Sequence, residues 1–356
     1  MPIGPTLILD KSTLQSLQNE EARWIGHHFH VNLIEPLYVE IIGASTATDR
    51  RNPIGDIVSL SKKLLEMVPG IAPNARHREL ILGELFGHLN FQLDGRVILE
   101  DVQTVRLSNG RLAQFQPEPP HFEALRRLAR GKLSERELKG ASSLRDFIAN
   151  VDLNRIKEVM QEVPGLKLGN LAEVLALVDR LFAHLKSFEV FKRILDDLHV
   201  APEYHDVVLK RWRAMSAPPV SEFVPYSYFI WRFNRFFDIA IGVGLISKIG
   251  VGLISKKDSK TYIDGMYLYY LPFCEIFVSG DKFHREVVPL FLRPDQRYCW
   301  GPDLKADAAK LRAYYENLPD EIRRRGSMTY ARLPPKDDAF MVASLFDELR
   351  PGWRDW

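Results

Sequence analysis

The sequence predicts an α/β protein: a parallel sheet flanked by helices, carrying a large, mainly helical insertion that contains a β-hairpin. Three observations lead there. A short apolar run, Thr6-Leu7-Ile8-Leu9, ends in Asp10 and is followed by helical and then strand-like sequence within the first fifty residues. The same rhythm returns late in the chain, where Thr261 to Leu271 reads as a helix stopped by Pro272 and Cys274 to Ser279 reads as a strand. Between them lies helix-rich sequence, interrupted by a stretch of apolar–polar alternation from Gly95 to Gln116. Strands alternating with helices at this spacing indicate crossover connections and hence parallel pairing.

Each element has its own signal. The apolar run to Leu9 suits a strand buried on both faces. Ser12-Thr13-Leu14-Gln15 is a capping-box pattern, and Leu14, Leu17, Trp24 and Ile25 give the helix that follows an apolar side. Val31 to Ile34 is a second strand, and Pro36 fits the first turn of a helix running to about Ser45. Asp56 to Val68 and Arg76 to Phe91 read as helices. Ser108-Asn109-Gly110 marks the turn of a hairpin within 95–116, ended by Pro117-Glu118-Pro119-Pro120. From His121 to Met215 the chain is helix-rich, most clearly over Asn170 to Leu198. After the Ala217-Pro218-Pro219 break, Ser221 to Ser247 is dense in aromatics and reads as core. Ile241 to Lys248 (IGVGLISK) is repeated letter for letter at Ile249 to Lys256, a single tandem duplication with no function attached. From Arg293 onward the chain reads as connection, then helices at about Asp303 to Leu318 and Ala339 to Leu349.

Bulk properties narrow the class. Hydrophobic residues make up 46% and charged residues 26% of 356 positions, which excludes disorder over most of the length. A net charge of +2 does not advertise a nucleic-acid binder, although a local basic patch would suffice. Cys274 and Cys299 are too few for a disulfide framework and read as buried thiols, a usage that fits the cytoplasm. Met1 to Lys11 lacks the pattern of a secretory leader, and the most apolar run, Ile239 to Ile254, is short and broken by Lys248, so no membrane partner is expected. No phosphate-binding glycine loop, dinucleotide fingerprint, serine-esterase elbow or zincin motif occurs. His27, His28 and His30 lack the spaced partners of a zinc site and read as a helix C-terminus. Basic runs at Arg126, Arg127, Arg130, Lys132 and Arg136, and at Arg323-Arg324-Arg325, read first as solvated helix faces.

Four carboxylates stand in telling places. Asp10 and Asp281 follow strands, where ligands of open parallel sheets bind. Glu40 and Asp264 fall on the apolar stripes of their helices, where an unpaired charge is costly. Each has a local alternative: Asp10 as a helix cap, Glu40 paired with an arginine, Asp264 facing a helix N-terminus, Asp281 as a turn residue. Together they suggest a site for a hard divalent cation able to activate water against a phosphate.

Three blocks carry a resemblance. The strand LILDKS holding Asp10, the helix LYVEII holding Glu40, and YIDGMYLYYLPFCEIFVSGDKFHR holding Asp264, Ser279 and Asp281 resemble the PIN-like nuclease family. By that likeness the chain would be a large-insert, bacterial-type member. The resemblance implies a compact parallel-sheet domain from residues 1–50 and 221–300, with 51–220 inserted and 301–356 a helical extension. It also implies Mg²⁺ or Mn²⁺ held by Asp10, Glu40, Asp264 and Asp281, and cleavage of RNA or, less often, single-stranded DNA. Ser279, Lys11 and Lys282 would contact substrate or balance charge. The family's members are often single small domains, whereas here more than 200 residues separate Glu40 from Asp264. Two other readings use the same scaffold: a non-catalytic nucleic-acid or protein interaction module, and a toxin-type nuclease held inactive by a partner protein. A homodimer is compatible with any of them. On this reading Asp10→Asn or Asp281→Asn abolishes cleavage and leaves unfolding unchanged or improved.

Overall fold

The computed structural model describes residues 4–43, 52–68, 70–100, 103–106, 112–115, 120–149, 153–162, 165, 167–182, 188–246 and 259–356. The chain divides into two compact units, one made of residues 1–75, 94–147 and 270–356, the other of 76–93 and 148–269. These divisions fall at different places from the boundaries expected above. Residues 52–75 and 120–147 belong with the sheet, and 221–269 with the helical unit.

The first unit is α/β. Its parallel sheet contains β1 (Thr6–Leu9), β2 (His30–Leu33) and β3 (Ile71–Pro73). A separate antiparallel pair, β4 (Gln103–Arg106) and β5 (Leu112–Phe115), forms the expected hairpin, with Arg106 opposite Leu112. Its expected turn residues, Ser108 to Gly110, lie outside the described residues. The parallel sheet is completed by β6 (Ile276–Ser279) and β7 (Arg297–Trp300). The strand order is β3-β2-β1-β6-β7, all parallel. The chain starts at the centre, builds outward on one side, then returns to build the other. β1 is buried along Leu7, Ile8 and Leu9, which explains its unbroken apolar sequence.

Two strands were not expected. β3 is a three-residue strand containing Pro73, and in β7 only Cys299 is buried, the other positions being half-buried. The single helix expected after Asp10 is two helices, Lys11–Ser16 and Asn19–His28. Leu17 turns extended at ψ 152°, and the second helix restarts with a capping box between Gln18 and Glu21. Asp10, rather than Ser12, caps the first. Downstream of β7, Gly301–Glu316 packs against Asn19–His28 and against β6 and β7, so this stretch is part of the sheet unit.

The second unit is helical. Pro225–Gly242 is its centre and packs on Leu153–Glu162, Leu171–Phe182 and His77–Phe86. The stretch expected to be one helix from Asn170 to Leu198 contains two, Leu171–Phe182 and Phe188–Asp197. Tyr226, Trp231, Phe233, Phe236 and Phe237 are buried, so the aromatic run is core. Its arginines are engaged, Arg232 with Asp179 and Arg235 with Asp197. Glu84 accepts the Tyr226 and Ser227 N–H groups at 2.8 and 2.7 Å, satisfying donors that the N-terminus of the central helix leaves free. Of the duplicated segment, only residues 241–246 are described. Among the described residues no helix is long and apolar enough to cross a membrane.

Candidate functional site

The strand order places a switch point between β1 and β6, the position where connections leave the sheet in opposite directions and open a crevice at the carboxyl ends. Asp10 follows β1, and Gly280-Asp281 follows β6. The ladder runs to this edge, where the Asp10 N–H donates to the Val278 carbonyl at 3.1 Å.

Asp10 is 4% exposed and accepts three hydrogen bonds. Oδ1 takes the Thr13 N–H at 2.8 Å, which caps the Lys11–Ser16 helix. Oδ2 takes the Ser12 and Ser279 hydroxyls, both at 2.7 Å. Ser279 is fully buried, and its Oγ also accepts the Asp281 N–H at 2.9 Å and lies 2.8 Å from His284 Nδ1. A hydroxyl has one proton, and here it is given to Asp10. His284 must therefore carry a proton on Nδ1 and donate it to Ser279. His284 is itself fully buried and stands 4.0 Å from Asp10, too far for a direct hydrogen bond. Ser, His and Asp thus meet without forming a nucleophilic triad, because the serine is buried and its acceptor and donor capacity is filled.

Asp281 is half-buried and caps the Lys282–Val287 helix, with Oδ1 accepting the Phe283 N–H at 2.8 Å. Its second oxygen accepts no hydrogen bond among the described residues. The local alternative for Asp10, a helix cap, is realised, and Asp281, read alternatively as a turn residue, is a helix cap as well; both residues sit at the switch point. Glu40 is half-buried on Glu35–Gly43, between buried Leu37 and Ile41. Lys11 Nζ donates to the Glu40 main-chain carbonyl at 2.9 Å, so this lysine is tied to a helix end and not to open space. Lys282 is exposed. Asp264 is buried on Ser259–Leu268 and belongs to the second unit.

Four residues at this edge were not read from the sequence: His284, Arg285, Tyr298 and Trp300. Tyr298 donates to the Ser279 carbonyl at 3.1 Å. Burial, then the Asp10 carboxylate and, more weakly, Asp281 hold its phenol well above the usual range, while Arg285 acts the other way. Trp300 pairs with Ser279 across β6 and β7, and the Arg285 guanidinium carbon lies 5.0 Å from its ring centroid. Gly301 follows. A Cβ there would stand 2.5 Å from Thr13 Oγ1 and 2.8 Å from the Gly280 nitrogen, so only glycine lets this helix approach so closely.

Among the described residues no three His, Cys, Asp or Glu side chains are grouped as a metal cage. The donors at this edge are carboxylates, Asp10 buried with both oxygens occupied and Asp281 half-buried. They fit a hard ion of the Mg²⁺ type, which takes one or two carboxylates and keeps its waters, and they do not fit zinc. Of the three early histidines, His27 and His28 lie in the last turn of their helix as expected, and His30 begins β2. Burial lowers all three, His28 to about 3, and the His28 ring meets the Tyr315 hydroxyl at 3.0 Å. Cys274 and Cys299 are buried thiols pushed up by burial, Cys299 to about 12. Comparison with protein families, with curated proteins and with solved structures finds no match to this chain.

Proposed function

We propose that this chain is a divalent-metal-dependent nuclease of the PIN-like kind, hydrolysing phosphodiester bonds in RNA, with single-stranded DNA the second substrate. The observation that supports the reading is the pair Asp10 and Asp281, ending adjacent central strands at the switch point and linked through Ser279. Asp10 and Asp281 would hold Mg²⁺ or Mn²⁺, with Glu40 the further acid of the same unit. Such an ion, when bound, supplies an acidified water and neutralises charge building on the phosphate. The chain's own groups do the positioning. Ser279 fixes the Asp10 carboxylate, and the His284 and Asp281 N–H donors fix Ser279. Lys282 is exposed beside Asp281 and would meet the phosphate backbone. Lys11 is assigned to holding the Glu40 helix end.

A binding module is the second reading. It is favoured by the saturation of Asp10, whose two oxygens already accept three donors. Cleavage of labelled single-stranded RNA and DNA in Mn²⁺, Mg²⁺ or EDTA, wild type beside Asp281→Asn, separates the two. Metal-dependent cutting by wild type, lost in the variant, is expected. Binding without cutting in any metal moves the chain to the binding reading. Cutting by Asp281→Asn at wild-type rate removes the acid from the site.

A further inference from the structure

At the edge that carries Asp281, one cation is held unlike the others. Arg285 lies one turn beyond Asp281, its N–H donating to the Asp281 carbonyl at 3.1 Å. Its side chain is exposed, and its guanidinium rests over the indole of half-buried Trp300. Trp300 is fixed in turn, as the last residue of β7, paired with Ser279 of β6. Asp10, Asp281 and Arg285 all act on the Tyr298 hydroxyl. Yet among the described residues the arginine forms an ion pair with neither acid.

An arginine amid carboxylates ordinarily takes one as a two-point partner. Stacking on an indole occupies the face of the guanidinium and leaves its in-plane N–H donors open, at a fixed place and without the loss of rotamer freedom a loose arginine pays on binding. Those donors match the oxygens of a phosphate and, unlike an ammonium, can engage two at once. The half-buried Asp281 on the same helix would repel a phosphodiester, and a fixed cation one turn along offsets that repulsion.

We infer that Arg285 is a phosphate-binding residue of this site and that Trp300 is the positioning residue that holds it, the ligand class being a polyanion of phosphodiesters. The inference rests on the nuclease reading for its polymer, and adds Arg285 to the phosphate contact proposed for Lys282.

The test uses the full chain and a fluorescein-labelled single-stranded RNA. Affinity is measured by anisotropy in EDTA across a salt series, and kcat and KM are measured in Mn²⁺. Arg285→Gln is expected to weaken binding roughly tenfold to a hundredfold, the value of a hydrogen-bonded charge pair, and to flatten the salt dependence by about one phosphate contact. KM rises with it more than kcat falls. Arg285→Lys restores the salt slope but not the affinity, because the ammonium is a point charge. Trp300→Leu reproduces much of the defect, and adding Arg285→Gln to it costs little more. Unfolding midpoints of the exposed Arg285 variants confirm that each is folded. Wild-type cutting with unchanged affinity and KM in Arg285→Gln overturns the inference and leaves the nuclease standing. Wild type that neither binds nor cuts RNA overturns both.

Discussion

Replacing Asp10 and Asp281 each by Asn separates a hydrogen-bonded hub from a strained cluster of acids. If the carboxylates repelled one another without a metal, removing either charge would stabilise the fold, which is the expectation the sequence alone supports. The structure predicts otherwise for Asp10. Three donors converge on it, and an amide offers one acceptor oxygen and one donor nitrogen. With the amide oxygen toward Thr13 the cap survives, but the NH₂ meets Ser12 and Ser279, and the Ser279 proton loses its acceptor. With the amide reversed, the cap is lost instead. A buried polar group left unpaired costs about 1–3 kcal/mol, and a lost cap about 0.5–2 kcal/mol. One relaxation is open: His284 can move its proton to Nε2, so that Nδ1 accepts from Ser279. Asp10→Asn is therefore expected to cost about 1–3 kcal/mol, the low end applying if the tautomer shifts. Asp281→Asn is expected to change stability by less than about 0.5 kcal/mol, since Asn caps a helix as well as Asp and the site is half open. Urea unfolding followed by fluorescence gives both differences, and ¹⁵N chemical shifts of His284 report the tautomer. An Asp10→Asn protein as stable as wild type, with an unshifted His284, would refute the hub.

Two further outcomes follow from packing and burial. Gly301→Ala drives a methyl into the Gly280 main chain and Thr13 Oγ1, so a loss of about 1–3 kcal/mol is expected, read as a lower urea midpoint. His28 has a folded pKa near 3 against 6.5 when unfolded, so the unfolded state binds the proton first. Stability therefore falls as pH drops from 6.5 toward 3, and by pH 5 the difference of 1.5 units amounts to about 2 kcal/mol. His28→Asn should lower stability at pH 7 yet remove most of that slope. Urea midpoints at pH 7 and pH 5 check it, and an unchanged slope would place the acid sensitivity elsewhere.

What could be read from the sequence depended on whether a signal was local. β1 and β6 were legible because each is a run of consecutive buried residues ended by a polar one. The central helix was legible from its aromatic density, and the hairpin from alternation with an Asn-Gly turn. β3 was hidden by its length and its proline, and β7 by Arg297 and Tyr298, whose partly exposed positions dilute any apolar pattern. The break after Ser16 was hidden because Leu17 is buried like Leu14 before it and Trp24 after it, so the apolar stripe continues through a backbone that turns. Asp10 and Asp281 were found because strand ends can be located. Arg285 and Trp300 were not, because they meet only through the pairing of Ser279 with Trp300. Asp264 was read together with the other acids by order along the chain, and order carries no information about which unit a residue joins.

The polar groups at the crevice fall into two sets with different physical demands. Ser279 and His284 are fully buried, so every donor and acceptor they carry has to be matched, and for Ser279 each is. Such groups specify one arrangement of two strand ends and are poor agents of chemistry, since any proton they move unpairs a neighbour. Asp281, Lys282 and Arg285 stand on a single turn of one helix, half-buried or exposed, with an oxygen and several N–H donors not committed to the fold. Asp10 belongs with the buried set, and Ser279 is the residue through which that set reaches the outer one, giving its proton to Asp10 and accepting the Asp281 N–H. On the proposed reading, recognition comes from the outer set, and the inner set decides how rigidly that set is held.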